Sequence, residues 1–93
     1  MDIAIFKWFI QSPAYKVTIG RSVDCSLQLS RDIESDIAPV QAEIVKHRGC
    51  CYIVAVEEGI RFEGKALAAG RRKRLYHGSR FCIGDTTLTY IEK

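Results

Sequence analysis

No apolar stretch in this 93-residue sequence approaches the roughly 18 to 20 residues that a membrane-crossing helix requires. The first ten residues are apolar but carry Asp2 and Lys7 and run into Pro13. A basic leader, a long apolar core and a small-residue cleavage site are all missing, so no secretory leader is expected. The four cysteines, Cys25, Cys50, Cys51 and Cys82, show no disulfide-framework spacing, and a reducing, cytoplasmic setting fits them best. They read as small buried hydrophobes, although Cys50 and Cys51 would face opposite ways in a strand. The two histidines, His47 and His77, have no cysteine or carboxylate at a metal-ligand spacing and belong to no nucleophile elbow or triad signature. They read as surface or turn residues, with no metal, cofactor or enzymatic activity expected. Repeats, linkers and low-complexity segments are likewise absent, so residues 1–93 read as a single domain.

What is present is an ordinary globular balance: 47% apolar and 27% charged residues, with a net charge of +3. Such a charge hints at an anionic partner but falls short of the concentrated excess of a nucleic-acid binder. Short apolar or β-branched runs recur at 3–10, 15–19, 27–29, 42–45, 51–56, 81–83 and 86–91. Ser12-Pro13, Gly20, the 30–35 stretch, Arg48-Gly49, Glu58-Gly59, Gly64, Gly70, His77-Gly78 and Gly84-Asp85 punctuate them. Turn signals about every ten residues predict an all-β, antiparallel two-sheet sandwich with negligible helix. Ile33, Ile37, Val40, Gln41 and Ile44 fall at helical spacing, but Pro39 sits among them and would cost about 3 kcal/mol inside a helix. A loop leading into a strand is predicted there. The terminal runs are expected to pair with each other. The core is expected to draw on Phe6, Trp8, Ile19, Leu29, Ile44, Ile53, Val54, Phe81, Ile83, Leu88 and Tyr90.

Two features imitate functional motifs. Gly59 to Lys65 has the Gly-x4-Gly-Lys spacing of a nucleotide-binding loop, but Ala66 stands where a hydroxyl would hold magnesium, and Gly70 follows too soon for the required helix. A hairpin turn explains the segment better. The run Arg71-Arg72-Lys73-Arg74 offers a phosphate-binding patch and, as an alternative function, nucleic-acid binding. A solvated sheet edge accounts for it more simply, and Tyr76 and Phe81 are expected to face the core rather than to form a stacking platform.

The most informative constellation is Ile19-Gly20-Arg21-Ser22, followed by Cys25-x-Leu27-x-Leu29. Further on come Ala42-Glu43-Ile44, then Arg48-Gly49-Cys50-Cys51-Tyr52-Ile53, Glu63-Gly64-Lys65-Ala66-Leu67, and a stretch from Leu75-Tyr76-His77-Gly78 to Phe81-Cys82-Ile83-Gly84. In this order the set resembles the forkhead-associated (FHA) domain family, whose members carry Gly-Arg after a strand, a strand opening with Ala-x-Ile, an Asn-Gly-x-x-Leu turn and a Leu-x-x-Gly-Asp-x-Ile-x-Ile-Gly stretch. The resemblance implies a β-sandwich that binds a protein partner through loops at one end, often at a phosphothreonine.

Carried onto this chain, the resemblance nominates Arg21, Ser22, Arg31, Ser35, Gly59 and Arg61 for the peptide and phosphate site. Arg21 would present a planar fork of donors to phosphate oxygens, each charge-assisted hydrogen bond worth about 1.5 to 3 kcal/mol. Gly20 would let the backbone turn to aim it. The family's Ser-Arg-x-His segment, however, reads Ala38-Pro39-Val40-Gln41 here, so a phosphate-binding hydroxyl becomes a methyl group and a scaffolding histidine becomes glutamine. Its Asn-Gly-Thr loop reads Glu58-Gly59-Ile60, placing a carboxylate that repels phosphate where an amide usually holds the ligand backbone. The expectation is therefore a divergent interaction module, weakly phosphate-dependent or phosphate-independent.

Overall fold

Alternation of apolar and polar residues is what the backbone obeys in the computed structural model, which describes residues 2–10, 16–29 and 37–92 apart from the Trp8 side chain. The strands are β1 (Asp2–Phe6), β2 (Lys16–Gly20), β3 (Leu27–Gln28), β4 (Ala42–His47), β5 (Cys50–Ala55), β6 (Ile60–Phe62), β7 (Lys65–Leu67), β8 (Arg72–Leu75), β9 (Arg80–Ile83) and β10 (Thr86–Ile91). One sheet has the order β1-β10-β9-β6-β7 and the other β3-β2-β4-β5-β8. The β-sandwich expectation holds, with one refinement: both sheets are mixed, because β1 runs parallel to β10 and β2 parallel to β3. The first pairing joins the terminal runs, as expected from the sequence. Helical structure among the described residues is confined to a 3-10 turn at Lys7–Phe9, which ends the first strand sooner than the apolar run at 3–10 suggested.

Each inner face carries every second residue. Val17 and Ile19, Ala42 and Ile44, Cys51, Ile53 and Ala55, and Leu75 from one sheet meet Ile5, Ile60, Leu67, Phe81, Ile83, Leu88 and Tyr90 from the other. Ile33 of the apparent helical spacing lies outside the described residues, while the segment at 37–41 forms the loop that Pro39 predicted. The Gly-x4-Gly-Lys segment folds into the β6–β7 hairpin. Glu63 and Gly64 turn it at φ 50° and 81°, just as Arg48 and Gly49 turn β4 into β5 at 52° and 79°. Two consecutive left-handed residues match the twist of a two-residue hairpin, which is why glycine fills the second place in each.

Some expected core positions fail for a reason that the register makes plain. Val54 pairs with Glu43 and Arg72 on the outward face of its sheet and is half-buried, whereas Leu29, also half-buried, does pack against the core as expected. Phe6 ends its strand 36% exposed, and Tyr76, expected to face inward, is 59% exposed beneath Arg74. Of the cysteines Cys51 alone is fully buried, the other three being half-buried. Trp8, also assigned to the core, lies outside the described side chains. No helix among the described residues is long and apolar enough to cross a membrane.

Two tests follow from this packing. Ile53 is fully buried between Ile44 and Lys73 on the β4–β5–β8 ladder, and Ile53→Ala should cost about 2 to 5 kcal/mol in urea unfolding; a loss under about 0.5 kcal/mol would place the core elsewhere. Tyr90 is held well above the usual tyrosine range, first by burial and then by the Cys51 thiol and the Glu92 carboxylate. Its neutral form is therefore the folded form. The stability this gives is complete below the unfolded pKa of about 10 and falls above it, by up to about 1.4 kcal/mol per pH unit, as the unfolded chain alone ionises. Unfolding curves of wild type and Tyr90→Phe across that alkaline range should diverge, with the variant showing the flatter profile; equal slopes would remove Tyr90 from the pH dependence.

Candidate functional site

At the carboxyl end of β2 the chain continues its ladder into a loop. Gln41 N–H donates to Ile19 O at 2.8 Å, Arg21 N–H to Ala38 O at 3.0 Å and Ser22 N–H to Pro39 O at 3.1 Å. Two loops are thereby zipped together. The Pro39 carbonyl also accepts from the Cys25 thiol at 3.1 Å. Gly20 lies so close beneath this junction that a Cβ would overlap the Pro39 carbonyl oxygen. Its φ is not left-handed, so the glycine is needed for close backbone approach rather than for the turn that the sequence suggested. From the neighbouring strand, Gln28 Nε2 donates to Arg21 O at 2.9 Å.

These contacts fix the backbone of Arg21, and its side chain is fixed in turn. Arg21 Nε donates to the Ile37 carbonyl at 3.0 Å. Among the described residues the two terminal guanidinium nitrogens have no protein partner, so the half-buried side chain is oriented at its root and unspent at its tip. Ile37 also lines a cleft of about 270 Å³ with Gln41, Gly59, Arg61, Cys82, Ile83 and Gly84.

Gln41, which replaces the expected scaffolding histidine, is only 2% exposed. Its carbonyl Oε1 accepts from Ala38 N–H at 2.7 Å, and its amide Nε2 donates to Glu58 O at 2.5 Å and Glu57 O at 3.4 Å. Its backbone carbonyl accepts from Val56 and Glu57 N–H at 3.0 and 3.2 Å. One residue thus ties the 37–41 loop to the 56–59 loop. The change of histidine to glutamine keeps the framework, because a glutamine amide, like a neutral imidazole, offers both a donor and an acceptor, with a second N–H in addition. Glu58 is also engaged, because its Oε1 accepts from Ala69 N–H at 3.3 Å.

The nominated site residues divide accordingly. Gly59 and Arg61 line one cleft, and Arg21 binds the carbonyl of Ile37 in its wall. The Arg61 guanidinium reaches along its hairpin to Gly64 O at 3.3 Å. Ser22 Oγ accepts from Asp24 N–H at 3.2 Å, closing a local turn while leaving its own proton to donate. Arg31 and Ser35 lie outside the described residues. Arg71 starts beside this loop end, where Ala55 N–H donates to its carbonyl at 2.9 Å, and the basic run then leads away along β8.

The FHA domain profile matches residues 17–84, which takes in both zipped loops and the cleft. The chain belongs to the FHA domain family. No curated protein sequence matches it. Solved FHA structures share the fold at low identity. The N-terminal FHA domain of S. cerevisiae Rad53p, in complex with a phosphothreonine peptide, superposes with a TM-score of 0.69 at 18% identity, over 76% of this chain and 57% of that one. Mycobacterium tuberculosis EmbR, in complex with a low-affinity phosphopeptide, gives 0.68 at 20% identity, over 80% of this chain and 19% of that one. The MEK1 FHA domain, bound to a HOP1 phosphothreonine peptide, gives 0.66 at 18% identity, over 75% and 74%. This FHA domain therefore spans little more than half of that N-terminal Rad53p chain and about a fifth of the EmbR chain.

Within this FHA domain the Gln41 amide is the tie between loops, and its removal has a defined cost. Gln41→Leu keeps the volume but strands the Ala38 N–H and the Glu58 carbonyl. Thermal or urea unfolding should show a loss of about 1 to 3 kcal/mol, and the 37–41 and 56–59 amides should exchange faster with solvent. An unchanged exchange pattern would mean that the loops are held by other contacts.

Proposed function

We propose that this FHA domain is a protein-docking module, residues 1–93 forming one unit, that receives an extended partner segment across the loops at 20–26, 37–41 and 56–59. Arg21 is its anion contact. The observation that carries this reading is the Arg21 guanidinium, tied through Nε to the Ile37 carbonyl with both terminal nitrogens unspent among the described residues. A planar fork held in this way suits phosphate oxygens, which take two parallel N–H donors. The bound peptides of Rad53p and MEK1 support phosphothreonine as the group read. Ser22 supplies a hydroxyl donor beside Arg21, Gly59 lets the partner backbone approach, and Arg61 adds positive potential from the cleft. Arg31 and Ser35 are further proposed contacts on the strength of the family resemblance alone.

Phosphate dependence is weakened, in this proposal, at two places. Ala38 offers a methyl group where a hydroxyl donor serves in the family. Glu58 brings a negative charge to the loop rim, although its bond to Ala69 N–H draws one carboxylate oxygen away from the ligand side. The double change Ala38→Ser with Glu58→Asn should raise affinity for a phosphothreonine peptide by about tenfold, the equivalent of 1.4 kcal/mol. Arg21→Ala in that background should remove the gain. Calorimetric titration of matched phosphorylated and unphosphorylated peptides into folded wild type and both variants makes the measurement. A repaired domain that binds no better would favour docking without phosphate.

A further inference from the structure

The two sheets end side by side, with β7 the last strand of one and β8 the last of the other. Between them opens a groove of about 360 Å³ lined by Phe62, Glu63, Lys65, Ala66, Leu67 and Lys73. Among the described residues β8 pairs with β5 alone, so alternate backbone N–H and C=O groups along its outer edge have no strand to meet. The edge is also strongly cationic. Arg72 lies over the Tyr52 ring at 5.1 Å and Arg74 over the Tyr76 ring at 4.7 Å. The ion pairs among the described residues join Lys7 to Glu92 and Lys16 to Glu43, so Arg71, Arg72, Lys73, Arg74 and Lys65 are in none of them. The carboxylates bordering the edge are turned to backbone amides instead: Glu63 Oε1 accepts from Arg80 N–H at 3.1 Å, and Glu58 Oε1 from Ala69 N–H.

We infer that the β8 edge and the adjoining groove bind an acidic, extended polypeptide segment, which adds to β8 as a further strand and seats an apolar side chain against Phe62. The occupant follows from charge and backbone together. A second copy of this chain is disfavoured, because antiparallel pairing of β8 with itself would set Arg and Lys directly opposite Arg and Lys. The same charges that keep the edge from pairing with itself attract an acidic strand, so one feature excludes the wrong partner and selects the right one. A nucleic acid would satisfy the cations, and its phosphates could accept from single amides, but it could not match the regular alternation of N–H and C=O along the edge. It would also find both tyrosine rings already covered by guanidinium groups rather than free to stack. An added strand meets both needs, main-chain bonds giving affinity and alternate side chains giving selectivity.

The test uses the full chain and a fluorescein-labelled synthetic peptide of about eight residues, the length of an ordinary strand, alternating Glu and Val around a central Phe. Saturable binding by anisotropy is expected, with β8 amides gaining protection from hydrogen exchange. Methylating alternate backbone nitrogens of the peptide should weaken binding by about tenfold or more, because the charges stay and only the ladder is lost. The pair Arg72→Glu with Arg74→Glu should weaken it at least as much. The neutral pair Arg72→Gln with Arg74→Gln serves as a second variant, with melting curves verifying the fold of each. Phosphopeptide binding at Arg21 should be unchanged by the glutamine pair, which separates this edge from the loop site. The inference is overturned if the methylated peptide binds equally well, if a single-stranded DNA oligonucleotide of equal charge binds more tightly than the peptide, or if the peptide does not bind at all.

Discussion

A side chain at position 20 would occupy the place of the Pro39 carbonyl oxygen, and the loop end is arranged around keeping that place clear. With Gly20 there, β2 and the 37–41 segment approach closely enough for Arg21 and Ser22 to donate their amides to Ala38 and Pro39. That contact brings the Ile37 carbonyl to Arg21 Nε. The direction of one guanidinium therefore depends on the absence of one methyl group on the preceding residue. Proline fits the same logic from the other side: having no N–H to satisfy, Pro39 contributes a carbonyl that accepts twice, from Ser22 and Cys25.

Gln41 shows how a site can depart from its family's usual residue and still keep its framework. What the loops need at this position is a buried group that accepts from one loop and donates to the other. The glutamine amide does both, between Ala38 N–H and the Glu57 and Glu58 carbonyls. In contrast, Ala38 has no side-chain polar atom with which to replace a hydroxyl. The two substitutions therefore differ: Gln41 ties the two loops, whereas Ala38, under the proposed function, leaves the loop end one donor short for a phosphate.

The fold was legible because its signals are local. Val17-x-Ile19, Cys51-x-Ile53-x-Ala55 and Phe81-x-Ile83 alternate as sandwich strands do, and Arg48-Gly49 and Glu63-Gly64 mark hairpins without reference to anything distant. Which face each run buries was less legible. Val54 is apolar and sits in a strand, yet register sets it opposite Glu43 on the outer face. Tyr76 likewise follows a buried Leu75 but lies past the end of β8, where Arg74 covers its ring. The candidate site was legible only as residue types. Gly20 and Arg21 could be singled out, whereas the role of the glycine as a spacer and the tie made by Gln41 both depend on contacts across many residues of sequence, which pattern alone does not carry.

The distribution of acidic side chains joins these observations. Glu43 and Glu92 pair with lysines, while Glu58 and Glu63 accept from backbone amides. Accepting from an amide engages a carboxylate without neutralising a cation. Among the described residues, arginine and lysine along β8 are thus in no ion pair, on a strand whose outer edge meets no other strand, and the terminal nitrogens of Arg21 have no partner at the loop end. Under the proposed readings both places combine a cation with accessible backbone, one beside Gly59 in a loop and the other along an open sheet edge. The net charge of +3 is modest for the whole chain, and surface potential falls off within about 8 to 10 Å at physiological salt, so the local arrangement of charge matters more than the total. Over such a range a charge acts mainly on what lies beside it, so under the proposed readings an acidic or phosphorylated segment is selected by the backbone and side chains it meets locally rather than by the charge of the molecule as a whole.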